Sequence, residues 1–139
     1  MRISSMRYFV CSVFFVFLVG CMTGCIEKPL QTEKIRELEF VILTEEIPKE
    51  FKAQIEKEKA DTFRMSYEDA GVVYIAEGYG VQPKTGYRVE VVQVYETENA
   101  ICFHTHLLGP EKGVETEEIE TYPYVVIAVK DIGKTVIFE

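Results

Sequence analysis

The sequence predicts a mainly β fold with one early helix, an antiparallel β-sandwich or partly closed barrel of about seven short strands. Short runs rich in valine, isoleucine, tyrosine and phenylalanine recur along the chain, and glycine, proline, asparagine or aspartate separates them. Only one stretch has helical periodicity. With 139 residues, of which 47% are hydrophobic, the chain is long enough for one such domain.

Residues 1–20 differ from the rest and predict a signal peptide. Arg2 and Arg7 are the only charges in this segment, and residues 8–19 form an apolar run that only a cysteine and a serine interrupt. This run is shorter than the roughly 20 residues that a helix needs to cross a bilayer. We therefore expect a cleaved leader rather than a membrane span.

The leader ends in Leu18-Val19-Gly20-Cys21, which resembles the lipobox of bacterial lipoproteins. The resemblance implies that Cys21 carries diacylglycerol after cleavage, with Cys25 as a shifted second candidate. Several acyl chains hold a protein at a membrane because each buried CH₂ contributes about 0.8 kcal/mol. We expect a flexible tether over residues 21–34 and a single domain over residues 35–139, on the extracytoplasmic face of a bacterial cell membrane.

The charge of the chain argues against nucleic acid as a partner. The formal net charge is −8, and removal of the two arginines of the leader makes it more negative. Such a chain lacks the basic surface that displaces counterions from phosphates. The cysteines give no disulfide framework, because Cys25 and Cys102 alone remain once Cys21 is modified, and we expect both to be free.

The folded part is predicted to begin with a strand and a helix. Residues 38–43 are β-branched and aromatic and predict a strand that is buried on both faces toward its end. Residues 44–59 predict the one clear helix, with Pro48 in its first turn and a stripe of Ile47, Phe51 and Ile55 that packs on a sheet.

Six further strands are predicted, at residues 62–67, 72–77, 87–95, 100–107, 123–129 and 135–138. Glu68-Asp69-Ala70-Gly71 has the residues of a hairpin turn and predicts a loop of moderate length. The apolar alternation changes phase at Val91-Val92, which predicts either a β-bulge or burial of both faces there.

The loop between the third and fourth strands is predicted to be a recognition loop. Its glycines permit positive φ, Pro83 fixes its own φ, and Tyr79 and Tyr87 stand where the loop meets the strands. Shaped, exposed loops on a rigid sheet commonly carry binding function. The glycines do not form a phosphate-binding fingerprint, because no helix follows them.

The sequence gives little support for a catalytic site or a metal site. After cleavage Ser66 is the only serine, and neither it nor a cysteine has a recognisable base, so we expect no enzyme and no cofactor. Cys102, His104 and His106 alternate along one strand and share a face, which leaves a structural β domain with a strand metal site as an alternative. Three side chains of one strand give an incomplete ligand shell.

A family resemblance rests on three motifs. The run from Gly78 to Val91, then Leu108-Gly109-Pro110, then Thr121-Tyr122-Pro123-Tyr124-Val125-Val126, resembles the C-terminal domain of the PrcB family over residues 72–138. The family is named for a lipoprotein subunit of a bacterial surface protease complex. The resemblance implies a non-catalytic accessory protein that binds or stabilises a secreted protease.

A second resemblance gives an alternative function. Pro83-Lys84-Thr85-Gly86-Tyr87 is similar to a loop of chagasin-like inhibitors of cysteine proteases. The tryptophan-containing loop of that family is missing, because the chain has no tryptophan.

The sequence thus predicts an extracytoplasmic lipoprotein whose β domain binds a protein partner. The predicted partner is a secreted or surface protease, and the predicted binding residues are Tyr79, Pro83, Lys84, Thr85, Gly86, Tyr87, Pro110, Tyr122, Pro123 and Tyr124. Tyrosines beside glycine and proline offer rigid contact area at low entropic cost.

Overall fold

The computed structural model describes residues 33–139, so the predictions for the leader, Cys21, Cys25 and most of the tether lie outside the described residues. Eight strands and one helix follow in the order β1 (Arg36–Glu37), β2 (Phe40–Ile42), α1 (Lys49–Glu58), β3 (Thr62–Asp69), β4 (Val72–Tyr79), β5 (Arg88–Glu96), β6 (Ala100–Leu108), β7 (Tyr124–Lys130) and β8 (Thr135–Phe138). Within this part of the chain, no helix is long and apolar enough to cross a membrane.

The strands form two sheets of four. Sheet A has the order β1-β5-β6-β8, and sheet B has the order β2-β7-β4-β3. Every neighbouring pair is antiparallel except β6 and β8, which run parallel. The predicted mainly β fold is confirmed as a sandwich, and neither sheet closes into a barrel.

The main core lies between the two sheets because alternate residues of each strand point inward. Ile75 and Ile127 of sheet B meet Phe103 of sheet A there, and all three are fully buried. A second cluster forms on the outer face of sheet B, where Phe51 and Ile55 of α1 pack on the sheet. The two apolar positions at i and i+4 therefore dock the helix, as its sequence period predicts.

The helix is shorter than the sequence predicts. It begins at Lys49 rather than near residue 44, because Glu46 has φ of 59° and Pro48 has ψ of 135°, and neither is helical backbone. Ile47 therefore lies before the helix, although it still packs against the same cluster.

Two local features match their sequence signals. The β3–β4 turn narrows to Ala70 and Gly71, whose φ values of 48° and 80° are both positive, as a type I′ hairpin turn requires. The ladder between β5 and β6 shifts its register between Val91 and Gln93, which confirms the predicted bulge.

The prediction for the first strand was wrong in its burial and its extent. The segment pairs first with sheet A, where the Leu38 amide donates to Val94 O at 2.9 Å, and then crosses to sheet B as β2. In β2 the exposed fractions are 37% for Phe40, 62% for Val41 and 55% for Ile42. These residues are exposed because β2 is an edge strand and β1 contains only two residues.

Candidate protein-binding site

Two loops lie together at one end of the sandwich. The first loop, residues 80–87, connects β4 to β5, and the second loop, residues 109–123, connects β6 to β7. Each loop crosses from one sheet to the other, and both do so at the same end of the sandwich. The end of β4 pairs with the start of β7 at Gly78↔Tyr124, and the start of β5 pairs with the end of β6 at Arg88↔Leu108. The fold thus brings the predicted motifs around Pro83, Pro110 and Pro123 to one place.

Backbone and hydroxyl hydrogen bonds hold the two loops to each other. Gln82 and Thr121 form an antiparallel bridge, with N···O distances of 2.8 and 3.0 Å. The Thr121 hydroxyl donates to Lys84 O at 3.0 Å. Thr85 donates its amide to Glu117 O at 3.0 Å, and its hydroxyl oxygen accepts the Glu117 amide at 2.9 Å. Each loop therefore restrains the other.

Glycine is required at two positions of the first loop where the backbone has a positive φ and lies close to neighbouring residues. Gly86 has φ of 97°, and a Cβ there would lie 3.0 Å from Pro110 Cβ. Gly80 has φ of 72°, and a Cβ there would lie 3.3 Å from the backbone at Ala60. A side chain at either position is strained because the left-handed region disfavours L residues and little space is left.

Three of the predicted site tyrosines support the loops through packing and hydrogen bonds. The Tyr79 hydroxyl shares a 2.7 Å hydrogen bond with Thr105 Oγ1, and the Tyr79 amide donates to Pro123 O at 3.1 Å. Tyr87 is half-buried beside Gly109. Tyr124 is half-buried on the outer face of sheet B, with its ring centroid 6.2 Å from that of Phe63.

A buried polar network lies beneath the first loop. The Arg64 guanidinium donates to Glu77 Oε1 at 2.7 Å, and the Thr105 hydroxyl donates to Glu77 Oε2 at 2.7 Å. Because the Thr105 proton is used in this way, the Tyr79 hydroxyl donates to Thr105 Oγ1. The residue that precedes Gly80 is thus fixed to both sheets.

The two loops expose apolar side chains and, next to them in the chain, acidic ones. The exposed fractions are 47% for Val81, 55% for Ile119 and 36% for Tyr122. Val81 lies opposite Tyr122 because Gln82 pairs with Thr121 in an antiparallel bridge. Exposed glutamates precede and follow Ile119 in the chain, namely Glu117, Glu118 and Glu120. We call Val81, Pro83, Ile119 and Tyr122 the loop surface.

The sequence prediction included Pro83 and Tyr122 but missed two residues of this surface. Val81 and Ile119 carry a weak signal, since each is an isolated apolar residue in a stretch of glycine or glutamate. Single exposed apolar residues are common on protein surfaces, so such a signal has meaning only when the fold brings several together.

The three residues proposed as metal ligands share one face of β6, as predicted, but they do not form a ligand cluster. Cys102, His104 and His106 lie on the outer face of sheet A, where the imidazole centroids are 4.8 Å apart. Cys102 is buried, and burial raises the pKa of its thiol, which opposes the thiolate that a metal needs. Residues 33–139 contain no group of three or more His, Cys, Asp or Glu side chains that could hold a metal ion.

Comparison with known proteins gives one family match. Residues 73–130 match the family model described as PrcB C-terminal, which confirms the resemblance carried by the three motifs. The matched segment runs from β4 through β7 and so includes both loops and Glu77. No curated protein and no solved structure matches the chain significantly.

Proposed function

Since the chain matches the PrcB C-terminal family over residues 73–130, we propose that it is a non-catalytic accessory module that binds a secreted or surface protease through the loop surface. The observation that carries the proposal is the joining of the two loops by the Gln82–Thr121 bridge and the Thr85–Glu117 hydrogen bonds. Loops that are ordered before binding lose little conformational entropy on association.

The chemistry of the loop surface suits a protein partner. Val81, Ile119 and Tyr122 offer exposed apolar contact area, and tyrosine is frequent among the residues that dominate binding energies. The Lys59 ammonium lies 5.5 Å from the Tyr122 ring centroid and restrains this side chain. The exposed Glu117, Glu118 and Glu120 favour a partner that has basic residues beside an apolar depression.

The location of the module follows from the lipobox resemblance. In the proposal, Cys21 carries the lipid, and the domain acts on the extracytoplasmic face of a bacterial cell membrane. Mass spectrometry of the protein purified from membranes tests this part. A diacylglyceryl adduct on Cys21 that is lost in Cys21→Ser and kept in Cys25→Ser supports it. An adduct on Cys25 would instead show that Cys25 is the lipidated residue.

Recovery of partners from cross-linked membranes tests the binding surface. We expect Val81→Asp/Ile119→Asp to reduce recovery of a protease at least tenfold, because two charges would enter an apolar contact. Val92→Asp is the matched control, since Val92 is an exposed valine at the β5 bulge on sheet A. Equal recovery by wild type and the double variant would contradict the proposal.

A protease assay with the recovered partner distinguishes accessory function from inhibition. A longer protease half-life in the presence of the purified protein supports the accessory function. Loss of protease activity at stoichiometric amounts would instead support the chagasin-like alternative, in which the Pro83–Tyr87 segment enters the cleft.

A further inference from the structure

Strand β2 is an open edge of sheet B with unpaired backbone groups. The Leu43 amide donates to Val126 O at 2.9 Å, so the alternation of an antiparallel ladder makes Val41 the next hydrogen-bonded residue. The amides and carbonyls of Phe40 and Ile42 therefore point away from β7. Within the described residues no strand lies on that side.

The side chains of this edge are also uncovered. Phe40 is in register with Val129 and Ile42 with Ile127, so both point toward the space between the sheets. Strand β1 of the opposite sheet has two residues and does not cover them. An open groove of about 780 Å³ lies beside β2, and besides Phe40 it is lined by Leu38, Glu39, Val41, Gly71, Val72, Ala128, Val129 and Lys130.

Two of the other three edges, β1 and β3, differ from β2 in their charge, whereas β8 (Thr-Val-Ile-Phe) is also uncharged. Strand β1 consists of Arg36 and Glu37, and β3 presents the exposed residues Arg64, Ser66 and Glu68. Charged side chains on an edge strand discourage pairing with other chains. Strand β2 has the sequence Phe-Val-Ile and no such protection.

The residues around β2 indicate the charge of its occupant. Glu39, Glu45 and Glu46 are exposed and form no salt bridge with any other residue of 33–139. Lys130, at the end of β7, is the cation of the adjacent strand. Three free carboxylates beside an apolar edge favour a segment with basic flanks.

We propose that β2 binds an extended segment of a partner protein, with alternating apolar residues and basic flanks, which adds to sheet B as a fifth strand. The partner backbone hydrogen-bonds to Phe40 and Ile42, and its apolar side chains fill the groove. A second copy of this chain is a poorer occupant, because the net charge is −8 and each copy would bring its own Glu39, Glu45 and Glu46 to the edge.

This edge is distinct from the loop surface. The groove is at the Val72↔Lys130 end of the β4–β7 ladder, whereas the loops follow the Gly78↔Tyr124 end. The two surfaces are about 20 Å apart, since a strand rises roughly 3.3 Å per residue. Each can be removed without the other.

The test uses the full chain in detergent and a fluorescent peptide of roughly nine residues, with alternating valine and threonine between paired lysines. A peptide with glutamates in place of the lysines is the matched control. We expect saturable binding of the basic peptide, at least tenfold tighter than that of the acidic one and weaker at high salt. Equal affinity for both peptides would overturn the proposal.

A proline variant tests the backbone contact. Ile42→Pro removes the outward amide and keeps the β2–β7 ladder, because proline is tolerated where the N–H faces away from the sheet. We expect at least tenfold weaker binding in Ile42→Pro and a smaller loss in Ile42→Ala, which keeps the amide. Val81→Asp/Ile119→Asp should bind the basic peptide like wild type. Equal affinity of the proline and alanine variants would overturn the backbone contact.

Hydrogen exchange of the free protein tests whether the edge is open. The amides of Phe40 and Ile42 should exchange rapidly and become protected when the basic peptide binds. Protection without peptide would overturn the proposal and show that residues of the first 32 or a second copy cover the edge. Sedimentation velocity then distinguishes these two occupants.

Discussion

The Thr105 hydroxyl on β6 donates a 2.7 Å hydrogen bond to the Glu77 carboxylate on β4, and this contact joins the inner faces of the two sheets. Arg64 neutralises the buried carboxylate, and Tyr79 donates to Thr105 from the start of the first loop. All buried side-chain polar atoms in the described residues have a hydrogen-bond partner. The network is complete, so removing one member leaves another unsatisfied.

Thr105→Val is therefore expected to destabilise the protein by about 1–3 kcal/mol, the usual cost of leaving a buried polar group without its partner. Valine keeps the shape of threonine but cannot donate to Glu77. Urea unfolding measures the loss. Thr105→Ser keeps the hydroxyl and should lose less than half as much, and wild-type stability of Thr105→Val would show that the hydrogen bond does not stabilise the fold.

Gly78→Ala is expected to destabilise the protein by about 1–3 kcal/mol through overpacking. A Cβ at Gly78 would lie 2.2 Å from Phe63 Cε1, so the ring must move. The variant should cost less in a Phe63→Leu background, because the smaller side chain frees this space. Thermal unfolding of wild type, Gly78→Ala, Phe63→Leu and the double variant gives a double-mutant cycle. If the stability losses of the two single variants add up in the double variant, the clash is refuted.

Thr85→Val/Thr121→Val is expected to loosen the loops more than the fold. These hydroxyls make the exposed Thr85–Glu117 and the partly buried Thr121–Lys84 hydrogen bonds, and solvent can replace such partners at a cost of about 1 kcal/mol each. Amide exchange at Gln82 should accelerate while exchange in β4 stays unchanged. Thr135→Val on β8 is the control, and no acceleration at Gln82 would show that the backbone bridge alone holds the loops.

The stability of the protein should decrease at acidic pH, partly because the Glu96 carboxylate becomes protonated. Hydrogen bonds from Lys134 and Arg36 hold the pKa of Glu96 below its ordinary value of 4.5. The folded state thus binds this proton less readily than the unfolded state, so the carboxylate stabilises the fold above about pH 4.5 and this contribution is lost as the pH falls through the lowered pKa.

Melting temperatures between about pH 7 and pH 3 check this dependence. Glu96→Gln should melt below wild type at neutral pH, and the difference should shrink toward pH 3. Glu98→Gln alters an exposed neighbouring carboxylate and should leave the profile unchanged. A constant difference between wild type and Glu96→Gln at every pH would refute the role of ionisation.

Local patterns in the sequence predicted most strands of this fold, because a period of two is a property of each strand alone. The Ala70-Gly71 turn and the Val91 bulge are local in the same sense. The exposure of Phe40 and Ile42 is not a local property, since it depends on how long the facing strand β1 is. The parallel pairing of β6 with β8 likewise has no signature in either strand.

The candidate site divides in the same way. The turn-forming residues Pro83 and Gly86 could be recognised in the sequence, and in the structure Gly86 lies against Pro110. The contact between Glu77 and Thr105 joins residues 28 positions apart, and only the topology brings them together. Glu77 has the appearance of a solvated acid at the end of a strand, and nothing near it in the sequence reveals its burial.

The crossing of residues 35–43 from sheet A to sheet B has a mechanical consequence. Tension applied at residue 33 would first load the Ile35–Glu96 hydrogen bond and the two residues of β1, then Leu38, and only afterwards β2. The segment would peel away bond by bond, and force at this point would remove the β2 edge while the β3–β4–β7 ladder stays intact. A pull on the amino-terminal side would thus act as a force-dependent release for any strand bound at that edge.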